Sequence, residues 1–192
     1  MKNPNLPEEY VTIRRHDREV LDDQWMRSFL ENSPFGVLAT VFQEQPFAHT
    51  NLFTYDPDVH CIYIHNAENG RIIDNINTNN RVCFTVSEMG RLLPAKKACH
   101  FSVEYASVVI FGMAEIVENK QEKIHGLNLL MEKYFSRFHA GKDYLPIDVQ
   151  QTEGTAVIKI IISNWSGKRK QSKEEYPEAY FFNKLENDPQ QD

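Results

Sequence analysis

The sequence has only three cysteines, and their spacing excludes two classes of small protein. Cys61, Cys83 and Cys99 include no Cys-x-x-Cys pair. An odd number of widely separated cysteines matches neither a disulfide framework nor a structural zinc site. We therefore predict that Cys61 and Cys83 are buried thiols that pack as small apolar side chains.

Long apolar runs and an excess of positive charge are also missing. No apolar run approaches the roughly 18 residues that a membrane span needs, and residues 1–9 are polar. The sequence therefore predicts neither a membrane span nor a signal peptide, and we expect a cytoplasmic protein. A formal net charge of -6 argues against a nucleic-acid partner, because binding to a phosphate backbone requires a basic surface. The 192 residues suit one domain, predicted over 1–182, with a polar tail at 183–192.

Motifs of several well-known active sites are absent. The sequence contains no Gly-x-Gly-x-x-Gly, no Gly-Lys-Ser/Thr phosphate loop and no Gly-x-Ser-x-Gly elbow. Its seven histidines show neither His-x-x-x-His spacing nor a neighbouring set of cysteines or carboxylates. We therefore predict no metal site and no hydrolytic triad.

Two helices can be predicted from their caps and apolar stripes. Asp22 precedes a short stripe that includes Trp25 and Leu30, and aspartate is a strong N-cap residue. Asn119 precedes a second stripe, with Glu122 in the capping-box position three residues later. We interpret both stripes as faces that pack on a core.

Apolar alternation predicts an antiparallel β-protein. Its strand candidates are rich in β-branched and aromatic residues and are joined by short turns, which favours a small barrel over a parallel sheet. The candidates are 36–43, 48–55, 61–65, 81–88, 105–117 and 156–164.

A Gly-Arg turn joins a strand to a third, short helix. The strand ends near His65, and the helix is indicated by Ile72, Ile73 and Ile76. Gly70 allows a ligand to approach the backbone closely, the helix start offers unpaired amide hydrogens, and Arg71 adds a cation. This combination predicts a phosphate site.

The same region carries a resemblance to a known family. Its pattern is Tyr63-Ile-His-Asn-Ala67, Gly70-Arg71 and Asn80-Arg-Val-Cys-Phe-Thr-Val86; Gly36 to Thr40, Pro46 to Tyr55, Tyr105 to Val109 and Gly112 to Ala114 complete it. The chain resembles the pyridoxamine 5'-phosphate oxidase-like split-barrel flavoproteins, most closely the 5-nitroimidazole-resistance (Nim) branch, from about Arg14 to Trp165. The resemblance implies a mostly β fold with flanking helices, built on a six-stranded antiparallel split β-barrel.

The resemblance also implies residues that hold a flavin. Arg71 matches the basic residue that grips the flavin phosphate, beside the amides of Asn69 and Gly70; the alternative is a surface arginine paired with Glu68 or Asp74. The other implied ligands lie on barrel strands or just after them: Thr50, Asn51 and Leu52 along the isoalloxazine ring, Ser107 in the strand beside the cofactor, and Lys168 as a second phosphate ligand. The alternative for these is ordinary strand or surface residues.

His65 is the candidate catalytic residue. In Nim-like proteins the histidine of the Tyr-x-His motif is near the flavin or the substrate. An unperturbed histidine titrates at about pH 6.5, so it could orient a substrate or donate a proton at neutral pH. The alternative is a structural histidine at a strand end.

The function implied by the resemblance is flavin-dependent oxidoreduction. We expect bound FMN, with FAD as the alternative, to carry electrons from NAD(P)H to a small organic acceptor such as a 5-nitroimidazole or another nitroaromatic. We also expect a homodimer, because relatives form their flavin sites between two subunits. Three alternatives stay open: a pyridoxamine phosphate oxidase, a haem-binding split barrel with His65 or His100 as axial ligand, and a non-catalytic flavin-binding or redox-sensing protein.

Overall fold

A computed structural model describes residues 11–172 and 176–182 of the chain. The predicted tail at 183–192 lies outside these residues. Within them are the strands β1 (Glu19–Val20), β2 (Gly36–Phe42), β3 (Gln45–Asn51), β4 (Phe53–Asp56), β5 (Cys61–Ala67), β6 (Arg81–Leu93), β7 (Ser102–Ile116) and β8 (Thr155–Lys170), and the α-helices α1 (Asp23–Asn32), α2 (Arg71–Thr78) and α3 (Lys120–Tyr134). None of these helices has the length and apolar character that crossing a bilayer requires.

The strands form one antiparallel sheet that curls back on itself. Its order is β3-β2-β6-β7-β8-β5-β4, and β1 pairs with β8. Strands β3 and β4 lie at opposite edges, yet only Leu52 separates them in the sequence. Consecutive Cα atoms are about 3.8 Å apart, so the two edges approach each other where the chain crosses between them. The predicted mostly β split barrel with flanking helices is confirmed.

The described residues contain eight strands where the sequence predicted six. The predicted strand at 48–55 is two strands, because the chain changes partners at Leu52: β3 pairs with β2, whereas β4 pairs with β5. The additional strand β1 has two residues, which is too short for a period-two pattern to appear in the sequence.

The inner face of the sheet carries the main hydrophobic core. Its fully buried side chains include Leu38, Phe53, Ile62, Phe84, Ile110 and Ile158. Helix α2 adds its three isoleucines to this core. Asn75 of α2 donates a hydrogen bond from Nδ2 to Thr40 Oγ1 of β2 over 2.7 Å, and both residues are buried. This bond fixes the helix on the sheet and therefore fixes the position of the Gly70-Arg71 turn.

The predicted caps of α1 and α3 are confirmed. Asp22 and Asn119 each accept hydrogen bonds from two backbone amides at the start of their helices. Glu122, which the sequence placed in a capping box, instead accepts hydrogen bonds from Tyr63 Oη at 3.0 Å and Lys159 Nζ at 2.6 Å. These contacts join α3 to the outer face of β5 and β8.

The two cysteines that were predicted to be buried differ in the extent of their burial. Cys61 is fully buried under α3, and burial raises its pKa to about 12. Cys83 is half-buried, and burial raises its pKa as well. Both thiols are therefore protonated near neutral pH and pack as small side chains.

The end of α3 covers the free edge of β4 at Phe53. Tyr134 Oη accepts a hydrogen bond from Phe53 N and donates one to Phe53 O, each over 2.9 Å. The neighbouring Lys133 Nζ lies 3.6 Å from the centroid of the Phe53 ring and donates to Leu30 O at 3.0 Å. Burial lowers the pKa of Lys133 to about 8, and its ammonium group lies against Phe53 of β4.

An ion pair across β6 and β7 leads to a pH-dependent prediction. Arg91 donates two hydrogen bonds of 2.8 Å to Glu104, whose side chain is largely buried. The Arg91 hydrogen bonds lower the pKa of Glu104 from 4.5 to about 2. A lowered acid pKa contributes stability above the unfolded-state pKa, and that contribution is lost as the pH falls through the folded-state pKa.

We therefore expect Glu104→Gln to be less stable than wild type at neutral pH. The difference in Tm between the two proteins should narrow as the pH falls from 4.5 towards 2, because both then carry a neutral side chain. Calorimetry over this range measures it, with the exposed Glu88→Gln as control. A difference that stays constant with pH would contradict the assignment.

Candidate functional site

The start of α2 is built differently from the starts of α1 and α3. Its N-cap is Gly70, and none of the described side chains caps it. Gly70 has a φ of +142°, a conformation that favours glycine, and a Cβ there would border open space. The first helical hydrogen bond runs from Asp74 N to Gly70 O. The amides of the first helical turn thus have no helical partner, and they form a potential anion site.

Arg71 places a cation beside these amides. Its guanidinium carbon lies 4.9 Å from the centroid of the Phe47 ring, within the range of a cation–π contact. Within 11–172 and 176–182, neither Glu68 nor Asp74 forms an ion pair with Arg71, and Glu68 lies 3.7 Å from Lys123 Nζ instead. Arg71 is an exposed residue, and the described ion pairs give no support to the alternative of a pair with Glu68 or Asp74.

Two clefts meet at Arg71. The smaller, which we call the phosphate cleft, has a volume of about 220 Å³ and is lined by Phe47, His49, Asn66, Asn69, Gly70 and Arg71, among others. The larger, the hairpin cleft, has a volume of about 820 Å³ and is lined by Phe42, Gln45, Phe47, Arg71, Asp74 and Asn75, with Pro46. Phe47 and Arg71 line both clefts, so the two clefts are neighbours that border on this pair.

Asn66 is an unsatisfied donor in the phosphate cleft. Its Nδ2 atom is buried and has no hydrogen-bond partner among the described residues. A buried donor left without a partner costs about 1–3 kcal/mol, so such groups are rare unless a ligand or water pairs with them. An anionic oxygen bound in the cleft would satisfy this atom.

His65 lies on the opposite face of β5 from Asn66. Ile62 and Ile64 belong to the inner core, whereas Cys61 and Tyr63 pack under α3. Because strand residues alternate between faces, Asn66 shares the inner face and His65 the outer one. His65 is exposed and does not line either cleft. The catalytic role predicted for His65 stays a prediction.

The predicted ring strand continues from the phosphate cleft. Asn51 is buried on the face of His49; its Nδ2 donates to His49 O at 2.9 Å, and its Oδ1 lies 3.3 Å from His49 Nδ1. Thr50 points to the other face and is exposed. Leu52 is the exposed residue that connects β3 to β4. Asn51 thus lies on the same face of β3 as His49 of the phosphate cleft, whereas Thr50 lies on the opposite face and Leu52 lies beyond the end of β3.

Ser107 and Lys168 are direct cross-strand partners, remote from both clefts. They pair across β7 and β8 and lie on the outer face, because their neighbours Val108 and Gly167 face the core side. Thr50 lies on this same outer face. Cross-strand pairing aligns it through Val37 and Thr85 with Val109 of β7, which is three strand spacings, or ~14 Å, away. The structure therefore separates the predicted residues into two groups, one at each face of the sheet.

Among the polar and aromatic residues of the phosphate cleft, three were not predicted from the sequence: Phe47, His49 and Asn66. Asn66 belongs to the Tyr63-Ile-His-Asn-Ala67 pattern, and its period-two relation to Ile62 and Ile64 could have placed it on the inner face. For Phe47 and His49 the sequence offered no comparable signal, because their role depends on the approach of α2 to β3.

Comparison with known proteins identifies the family. A family model described as pyridoxamine 5'-phosphate oxidase matches residues 22–169, which is most of the chain. The chain belongs to this family. The match begins at the cap of α1 and ends near the end of β8, so in this member of the pyridoxamine 5'-phosphate oxidase family it includes both clefts.

Solved structures of similar proteins share the fold. A proposed 5-nitroimidazole antibiotic resistance protein from Bacteroides thetaiotaomicron is 25% identical, with a TM-score of 0.65, over 79% of this chain and 86% of that chain. The flavocytochrome Anf3 from Azotobacter vinelandii is 22% identical, with a TM-score of 0.73, over 88% and 77%. The FAD and heme binding protein from Mycobacterium smegmatis is 17% identical, with a TM-score of 0.70, over 82% and 76%. No curated protein matches the sequence.

Proposed function

We propose that the chain binds a flavin by its phosphate at the start of α2 and acts as a flavin-dependent oxidoreductase. The observation that carries this proposal is the convergence of three features in one cleft, each without a hydrogen-bond or ion-pair partner among residues 11–172 and 176–182: the first amides of α2, the cation of Arg71 and the Nδ2 of Asn66. Each suits a phosphate oxygen. Membership of the pyridoxamine 5'-phosphate oxidase family supports the same ligand.

The residues of this chain have separate roles in the proposed site. Arg71 and the amides of the first turn of α2 bind the phosphate, and Asn66 donates to one of its oxygens. His49 and Asn51 orient the part of the cofactor that continues along β3, since their hydrogen bond fixes both side chains. The chemistry that a bound flavin supplies is hydride transfer, here from NAD(P)H to a small organic acceptor. We propose a nitroaromatic such as a 5-nitroimidazole as the acceptor, in keeping with the described role of the Bacteroides relative.

A second copy of the chain is proposed to complete the site. The outer face of the sheet exposes Met113 and Ile161, which are cross-strand neighbours. Thr50, Ser107 and Lys168 lie on this same face and cannot reach the phosphate cleft of their own chain. Two copies packed through this face would bury the apolar pair and bring these polar residues to a shared interface. Sedimentation equilibrium at micromolar concentration tests it, and a monomer would overturn the dimeric site.

The absorbance spectrum of the purified protein tests the proposed function. Maxima near roughly 370 and 450 nm, as for an isoalloxazine, would support it, and the rate of NAD(P)H oxidation with a nitroaromatic would then test the reaction. Full flavin occupancy without turnover with any acceptor would instead favour the non-catalytic alternative. A Soret band would favour the haem alternative, and a protein that neither contains nor takes up flavin would overturn the proposal.

Asn66→Leu should separate flavin binding from stability. Leucine keeps the approximate volume and removes the unsatisfied donor, so we expect the apoprotein to gain about 1 kcal/mol in free energy of unfolding. FMN should bind about tenfold more weakly, because a hydrogen bond to its phosphate is lost. Chemical denaturation of the apoprotein and calorimetric titration with FMN measure the two effects. The exposed Asn77→Leu on α2 is the control; destabilisation by Asn66→Leu together with unchanged FMN affinity would contradict a ligand role.

A further inference from the structure

The hairpin cleft extends the proposed flavin site along β3 towards Gln45, in the direction away from Asn51. Gln45, Phe47, His49 and Asn51 alternate along one face of β3. Phe47 with Arg71 marks the middle of this row, His49 and Asn51 continue on the phosphate-cleft side, and Gln45 stands on the hairpin side. A phosphate at Arg71 therefore has space on both sides, about 7 Å of strand for each two residues.

The volumes of the clefts indicate what this space can hold. Small-molecule sites commonly measure about 300–1,000 Å³. The phosphate cleft, at about 220 Å³, is below this range, whereas the hairpin cleft, at about 820 Å³, lies within it. FMN ends at its phosphate and would leave the hairpin cleft to solvent. A dinucleotide continues past its phosphates with a second nucleoside.

The hairpin cleft offers the groups that a nucleoside needs. Phe42 presents a partly exposed aromatic ring, and rings of this kind stack on bases. The Asp74 carboxylate, which has no ion-pair partner in the described part of the chain, can accept from ribose hydroxyls, as acidic residues do in other dinucleotide sites. Gln45 Nε2 donates to Pro46 O over 3.0 Å, so the amide is held in place and its oxygen serves as an acceptor for an amino group.

The turn that carries this cleft is strained. Gln43 and Glu44, which connect β2 to β3, both have positive φ values, of 45° and 66°. Such a turn matches the twist of a tight hairpin but is disfavoured for residues other than glycine, asparagine and aspartate. Strained backbone of this kind is frequent at ligand-binding sites. The turn fixes Phe42 opposite Gln45, with which it pairs directly.

We propose that the hairpin cleft binds the adenosine half of FAD, so that the chain prefers FAD to the FMN predicted from its sequence. This inference rests on the proposed flavin function. Arg71 then holds a pyrophosphate between two arms. Phe42 stacks on the adenine, Asp74 accepts from the ribose, and Asn66 and the α2 amides keep the roles proposed above.

Titration of the flavin-free protein with FAD and with FMN tests the proposal. We expect FAD to bind at least about tenfold more tightly. Phe42→Ala and Asp74→Asn should each lower FAD affinity, by about tenfold for the lost stacking contact, and leave FMN affinity unchanged. Their matched controls are Phe138→Ala, an exposed phenylalanine beyond α3, and Glu44→Gln, a carboxylate outside the cleft; neither should alter the affinity for either flavin.

The outcomes separate this proposal from the function on which it rests. FMN binding with no gain for FAD, or equal losses of both ligands in Phe42→Ala, would overturn the adenosine site and leave flavin binding intact. Failure of both flavins to bind would overturn the two proposals together.

Discussion

Arg71→Ala is expected to lower the affinity of the protein for FMN by about 10- to 100-fold. A hydrogen bond to a charged group contributes about 1.5–3 kcal/mol, and each 1.4 kcal/mol corresponds to about tenfold in affinity. In this structure the guanidinium has no acidic partner within the described residues, so its removal leaves no other charge unpaired. Fluorescence titration of the apoprotein measures the loss.

Riboflavin makes this test specific for the phosphate. It has the same ring system and no phosphate, so Arg71→Ala should leave its affinity unchanged. The control variant Arg81→Ala removes an exposed arginine from β6, just beyond the other end of α2. Equal loss of FMN and riboflavin binding would show that Arg71 does not act on the phosphate, and no loss of FMN binding would reject the site.

Phe84→Ala is expected to lower the free energy of unfolding by about 3–5 kcal/mol. Phe84 is fully buried on β6, and its ring meets that of Phe53 edge to face with 5.0 Å between centroids. Its ring also occupies the space above Gly36, where a Cβ would come within 2.2 Å of it. The truncated side chain would leave a cavity that β2 and β4 cannot close, because both are held by neighbouring strands.

Thermal unfolding measures this loss of stability. For a protein of this length each 1 kcal/mol lowers Tm by about 2–4 °C, so the decrease should be about 6–20 °C. Phe101→Ala is the matched control, because Phe101 is 58% exposed and surface substitutions usually change stability by less than about 0.5 kcal/mol. Similar decreases in the two variants would contradict the position assigned to Phe84 in the core.

The fold could be predicted largely from the sequence because its main signals are local. The caps Asp22 and Asn119 mark helix starts within a few residues, and apolar alternation marks each long strand. The break at Leu52 was missed, since a change of strand partner leaves no trace in local periodicity. Glu122 was assigned to a capping box by the same local rule, and its contacts with Tyr63 and Lys159 depend instead on tertiary packing.

The candidate site was predictable only in part for the same reason. The adjacent residues Gly70 and Arg71 predict an anion site from the sequence, and both line one cleft together with Asn69. Whether His65 or Asn66 lines the cleft depends on which face of β5 packs on the core. The family resemblance implied the histidine, whereas the structure places Asn66 in the cleft. Ser107 and Lys168 lie on another surface, because the sheet places their side chains on its outer face.

The hydroxyl of Tyr134 has a consequence for how these molecules behave towards one another. Free strand edges attract strands from other chains, and this is a common start of aggregation. In this barrel the edge-facing amide and carbonyl of Phe53 both form hydrogen bonds with that hydroxyl. The one-residue connection at Leu52 also holds β3 close to this edge. An incoming strand would find its hydrogen-bonding partners at Phe53 taken, so a barrel that is open in topology is protected against edge-to-edge association at this point.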